Sequence, residues 1–151
     1  MPVWKTALAV FALDVLTKSA ALDGLTLFKP VVVVPHFFNM SLVFNRGAAF
    51  GMLPGGAPLF MLLAAGTVLG ILFFARKSAH TPPTVQIALG LIAGGAAGNF
   101  LDRLRFGFVV DFLDFYWGAW HWPAFNIADA SLCVGAGCLA FWTLRKNPNM
   151  A

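Results

Sequence analysis

The residues of this chain best suited to chemistry lie at 94–129, where GGAAGNFLDRLRFGFVVDFLDF is followed at 126 by NIAD. Four of the six acidic residues are here, Asp102, Asp111, Asp114 and Asp129, set against apolar segments where an unneutralised charge is costly. Carboxylates from different segments, beside Asn and Arg donors and with no Ser or Cys placed as a nucleophile, suit an aspartic protease. Two carboxylates about 3 Å apart share one proton. One then takes a proton from water while the other donates to the scissile carbonyl.

Each candidate also has a structural reading. Asn99, Asp102 and Arg103 stand at i, i+3 and i+4 and share a helix face, so they either finish a helix or present a donor set to a cleft. Asp111 and Asp114 in VVDFLDF are flanked by aromatic and aliphatic groups, so at least one must face a partner or a polar cavity; spacing leaves open which. After Pro123, Asn126 fits a helix N-cap and Asp129 its N3 position, where a carboxylate meets free N–H groups. Asp14 lies inside an apolar run, with Lys18 one turn on to pair with it or to reach outward. No metal site is expected: His36, His80 and His121 are far apart and match no zinc spacing. Cys133 and Cys138, five apart on one helix, face different ways and are not expected to pair.

The elements that must position these groups are membrane elements. The chain is 60% hydrophobic and 11% charged, with mean hydropathy +0.81, outside the soluble range. Its net charge of +4 comes with no basic run or basic helix face, so nucleic acid is not an expected partner. Four segments, 4–22, 58–75, 85–101 and 127–144, are long enough to span about 30 Å at about 1.5 Å per residue. An even number of spans puts both termini on one side with Lys5, Arg76, Lys77, Arg145 and Lys146, the cytoplasmic side by the positive-inside rule.

Residues 23–57, with KPVVVVP, FFNMSLVFN and RGAAFG, read as a small sheet or hairpin on the extracytoplasmic membrane surface. Residues 102–126 carry nine aromatics and read as an interfacial segment. Gly66 and Gly70, and Gly90, Gly94 and Gly98, have the four-residue spacing of close helix contacts. The fold class expected is thus membrane α-helical: four transmembrane helices, a small extracytoplasmic β-rich element and an aromatic interfacial segment, in a single domain over 1–151.

LDVLTK at 13–18, FNRGAAFG at 44–51, GGAAGNFLDRLRFGFVVDF at 94–112 and FNIADASL at 125–132 together resemble bacterial lipoprotein signal peptidase, or signal peptidase II, in family order. The resemblance implies an inner-membrane aspartic peptidase without a cofactor. It would remove the signal peptides of prolipoproteins just before their lipid-modified cysteine and be blocked by globomycin-type antibiotics. By motif position the catalytic pair falls on Asp111 and Asp129. Asp102 competes for the first place, and the more desolvating flanks of Asp111 favour Asp111. Carried over likewise, Asn45, Gly47, Asn99, Arg103 and Asn126 line the site and position substrate, while Asp14, with Lys18 and Asp102, supports it. Position 15, commonly Gln in the family, is Val15 here, which removes any polar role there. Membrane lipids are expected partners and the monomer the working form. The rival from another class, a small transporter or channel subunit, predicts acids along a transmembrane line, whereas five of the six Asp fall toward one face.

Overall fold

A computed structural model of the chain describes residues 2–47, 57–77 and 81–146; the part of the glycine-rich motif at 48–51, and His80, lie outside the described residues. The described residues form four helices: α1 Pro2–Gly24, α2 Ala57–Lys77, α3 Pro83–Phe106 and α4 Ile127–Lys146. Each contains one of the expected spans and extends beyond it at one or both ends. By length and apolarity α3 and α4 are able to cross a membrane, and α2 carries a shorter apolar stretch, Pro58–Ile71.

Small residues set the packing around α3. A side chain at Gly90 would meet Val3 and Thr6 of α1, one at Gly94 would meet Ala7 and Val10, and one at Gly98 would meet the Asp14 carboxylate. The contacts climb both helices together, so α1 and α3 run parallel. On another face of α3, Gly95 abuts the backbone of Ala128, while Gly135 of α4 abuts Ala88, Leu91 and Ile92, an antiparallel contact. Gly66 and Gly70 of α2 do not follow the expectation: among the described residues nothing lies within 4 Å of a side chain built there. Equal spacing marks a close contact only where a neighbouring backbone is present.

The segments between α1 and α2 and between α3 and α4 form one four-stranded antiparallel sheet, β1 Val31–Val34, β2 Phe38–Asn45, β3 Val109–Trp117 and β4 Trp120–His121, in chain order. The hairpin expected at 23–57 is present as β1 and β2. Its partner was not anticipated, because β3 and β4 come from the aromatic segment read as an interfacial stretch. Gly107, with φ 76° at the left-handed C-cap, ends α3 and donates its N–H to the Arg103 carbonyl, and two residues later β3 begins.

The fold makes Gly98 intolerant and Gly66 permissive. Gly98→Ala is expected to destabilise the protein by about 1–3 kcal/mol through overpacking against Asp14. Gly66→Ala is expected to be neutral or stabilising on helix propensity. Thermal unfolding in detergent checks both, and equal behaviour of the two variants would contradict this packing.

Candidate active site

The site is assembled where the N-terminus of α4, the C-terminal end of α3, the middle of α1 and strands β2 and β3 meet. Side chains alternate along β3, so Asp111 and Asp114, three residues apart, point to opposite faces of the sheet. That alternation divides their roles. Asp111 is 1% exposed. Val43 pairs with Asp111 across the ladder, and Asn45, diagonal to it, donates from Nδ2 to Asp111 Oδ2 at 3.0 Å. Asn45 cannot turn the other way, since its Oδ1 accepts the Gly47 N–H at 3.0 Å.

Asp114 faces a different set of groups. It accepts from Asn39 at 3.3 Å and Ser41 at 2.9 Å, and His121 Nδ1 lies 2.8 Å from its other oxygen. Burial pushes this carboxyl up, but the hydrogen bonds from His121, Ser41 and Asn39 outweigh burial and leave it below its ordinary value. Asp114 thus binds β2, β3 and β4 together. Sequence reasoning missed its partners, because only the ladder places Asn39 opposite Asp114 and only the β3–β4 hairpin returns His121 to it.

The approach of Asp129 to Asp111 depends on Phe125. Its backbone pairs with Leu113 in both directions, at 2.9 and 3.1 Å, which lays the chain beside β3 just before α4 starts. Asn126 follows, fully buried. Its Nδ2 donates to Asp111 Oδ1 at 2.7 Å, and more weakly to the Val110 carbonyl and Asn99 Oδ1 at 3.3 and 3.2 Å. Its Oδ1 accepts the Asp129 N–H at 2.9 Å, and Asp129 Oδ2 accepts the Asn126 N–H at 3.3 Å. This reciprocal pair is a capping box. The capping reading of Asn126 and Asp129 is therefore met, and the box holds one Asp129 oxygen while leaving Oδ1 to accept from Asn99 Nδ2 at 2.7 Å.

Asn99, Asp102 and Arg103 do share one face of α3, where Asn99 and Asp102 both meet Lys18 and Arg103 turns to Gly47. Arg103 donates to the Gly47 carbonyl and to the Asn99 carbonyl, both at 3.3 Å, and its guanidinium lies over the Phe60 ring. Asp102 accepts the Val110 N–H at 3.0 Å, which fixes β3 one residue before Asp111. Asp102 also pairs with Lys18 at 3.0 Å, and Lys18 pairs with Asp14 at 2.8 Å. Lys18 is only 2% exposed, so it does not reach outward. Asp14 Oδ1 accepts the Ala128 N–H at 2.9 Å, joining α1 to the first turn of α4.

Burial, reinforced by the neighbouring Asp129 charge, raises the Asp111 carboxyl to about 7, against the lowering effect of the Asn45 and Asn126 hydrogen bonds. A cavity of about 510 Å³ opens beside the pair, with Asp129 the acid on its wall; Asn45, Asn99 and Arg103 supply donors, and Val109, Trp122, Phe125 and Leu132 supply apolar surface. Among the described residues, no group of three His, Cys, Asp or Glu side chains is placed to hold a metal ion. Two carboxylates from separate elements, one buried and raised to about 7, are suited to general acid–base work on a bound water.

Comparison with known proteins agrees with this chemistry. Residues 6–145 match the family model described as signal peptidase (SPase) II. The chain belongs to the signal peptidase II family. It is 43% identical over 148 residues to the lipoprotein signal peptidase of Histophilus somni (strain 2336), covering 95% of this chain and 88% of that protein. It is 44% identical over 144 residues to the lipoprotein signal peptidase of Burkholderia mallei (strain SAVP1), covering 93% and 86%. Among solved structures, one described as a bacterial membrane enzyme determined by the in meso method at 2.3 Å superposes with a TM-score of 0.87 at 33% identity, covering 97% of this chain and 89% of that one. The chain is thus a peptidase of this family, and the family, the apolar helices and the small sheet together fit a bacterial membrane protein.

Asn126 is the residue on which the geometry depends most locally. Asn126→Ala removes a helix cap, worth about 1 kcal/mol, and leaves buried acceptors unsatisfied at about 1–3 kcal/mol. A total loss of about 2–4 kcal/mol in unfolding free energy is expected. A loss below about 0.5 kcal/mol, the usual size for a surface change, would show that this bond set does not hold the site.

Proposed function

We propose that this chain is an aspartic endopeptidase of the membrane that removes signal peptides from prolipoproteins just before the diacylglyceryl-modified cysteine, with Asp111 and Asp129 activating the water. The observation that carries the reading is a buried Asp111 raised to about 7 beside the Asp129 charge, with fixed N–H donors on the oxygens of both carboxylates. Asp129, ionised, takes a proton from the water as its oxygen attacks the scissile carbonyl carbon. Asp111 gives its proton to the carbonyl oxygen, and a tetrahedral diol forms. Collapse breaks the C–N bond, the leaving amine takes the proton held on Asp129, and the diol returns one to Asp111.

In this reading α1 to α4 all span the bilayer as one domain in the bacterial inner membrane, with both termini cytoplasmic and the site near the extracytoplasmic face. Trp117, Trp120 and Trp122, all exposed, sit among lipid headgroups with the sheet, and the substrate's acyl chains stay in the bilayer as it arrives laterally. Arg103 and Asn45, on the cavity wall, bind the substrate backbone together with Gly47, whose carbonyl accepts from Arg103. Globomycin-type inhibitors occupy the same cavity, and a monomer suffices, since every catalytic group comes from one chain. A transporter would need charges along a path through the membrane; Asp102, Asp111 and Asp129 instead converge on one cluster of hydrogen bonds.

Asp111→Asn and Asp129→Asn are each expected to abolish conversion of a lipid-modified prolipoprotein to its mature form, with the protein still inserted and folded. Asp114→Asn, on the opposite sheet face, is expected to retain cleavage. Full activity in either of the first two variants would sink the dyad. The pH dependence follows from the sign of the shift. The Asp111 proton is present below about 7 and lost as pH rises through that value, so kcat/KM should fall on the alkaline side. The Asn45 hydrogen bond lowers the Asp111 carboxyl, so Asn45→Ala should move this alkaline limb to higher pH. Movement to lower pH would contradict the assignment of the acid to Asp111.

A further inference from the structure

Among the described residues Lys18 is the one buried ammonium beside the site, and the acid–base chemistry itself does not use it. Its Nζ has three oxygen neighbours: Asp14 Oδ2 at 2.8 Å, Asp102 Oδ2 at 3.0 Å and Asn99 Oδ1 at 3.0 Å. The third contact is the informative one. Two carboxylates already surround the ammonium, so the amide is not required for charge balance.

An ammonium can only donate hydrogen bonds, so the Asn99 atom facing it must be the amide oxygen. The amide is planar and its other end is then the NH2 group, which is the end lying 2.7 Å from Asp129 Oδ1. Reversed, the Asn99 oxygen would face the Asp129 oxygen, a repulsive contact, and its NH2 would face the ammonium. Asn126 Nδ2 also reaches Asn99 Oδ1, but at 3.2 Å, and its two N–H groups serve three acceptors, the shortest being Asp111 Oδ1 at 2.7 Å. Lys18 therefore holds the orientation more firmly than Asn126 does, through a charge-assisted bond.

We propose that Lys18 is a positioning residue for the peptide cleavage: by donating to Asn99 Oδ1 it sets the direction of the Asn99 amide and so aims Nδ2 at Asp129 Oδ1. Through Asn99 it keeps that carboxylate oriented for the water. The inference rests on the dyad reading above. It assigns Lys18 a part in turnover distinct from its part in holding α1 against α3.

A double-mutant cycle with Asn99 separates the two parts. Lys18→Met is expected to lower kcat roughly 100-fold, the scale of a 1 Å misplacement of a catalytic group, with KM for a lipid-modified prolipoprotein nearly unchanged. In an Asn99→Leu background, where there is no amide left to orient, the same change should lower kcat further by less than about twofold, the usual error of additivity. Lys18→Met leaves Asp14 and Asp102 without their cation, so the cycle is repeated with Lys18→Met/Asp14→Asn in place of Lys18→Met, a pair of changes that keeps the wild-type net charge of the cluster. Equal kcat losses in the presence and absence of Asn99, or a loss confined to KM or to the thermal midpoint, would overturn the proposal. The controls keep its failure distinct from failure of the dyad reading: the latter shows as cleavage surviving Asp111→Asn, whatever Lys18 does.

Discussion

The structure depends on one ammonium group held away from water. Lys18 ties three elements at a single point: its own helix through Asp14, α3 through Asn99 and Asp102, and β3 through Asp102, which accepts the Val110 N–H. Asp14 extends the tie to α4 by accepting the Ala128 N–H. Taking such charges out of water costs several kcal/mol per ion and is offset only by close, well-directed partners. That requirement explains why Gly98 must be glycine: a side chain there would occupy the Asp14 carboxylate's place. The small residues of α3 thus serve the polar cluster as much as the helix contacts.

From that point outward, the site is built from groups with no freedom to reverse. The Asn45 oxygen is held by Gly47, the Asn126 oxygen by the first turn of α4, and the Asn99 oxygen by Lys18. Each amide consequently presents its NH2 end to a carboxylate. Asp111 and Asp129 receive donors arranged before any substrate arrives, the condition for electrostatic preorganisation. Burial and the second carboxylate raise the Asp111 carboxyl to about 7 despite those donors. The strand supplies the remaining selection, since its twofold alternation turns Asp114 away to knit the sheet while Asp111 faces α4.

The helices were legible in the sequence because apolar runs of membrane length carry few alternatives, and the i, i+3, i+4 face of Asn99, Asp102 and Arg103 followed from helix geometry. The N-cap at Asn126 was legible too, from its place after Pro123 and three residues before Asp129. The joining of β2 to β3 was not. The aromatic density of 106–125 suits an interface and a half-exposed strand equally, and nothing local tells which segment will complete a ladder. For the same reason the partners of Asp114 stayed hidden, and spacing could not choose between Asp111 and Asp114. Lys18 was recognised as a neighbour of Asp14, but its contacts with Asn99 and Asp102 span more than eighty residues of chain. Gly66 and Gly70 show the converse, a correct pattern with no neighbour to meet it.

The central claim is that one proton is held at this site and that Asp111 holds it. Infrared difference spectroscopy of the membrane-inserted protein just below neutral pH, comparing the wild type with Asp111→Asn and Asp129→Asn, reads this directly. The account predicts a protonated-carboxyl stretch in the wild type that persists in Asp129→Asn, because burial is the largest cause of the raised value, and disappears in Asp111→Asn. A band that survives Asp111→Asn and vanishes in Asp129→Asn would contradict it.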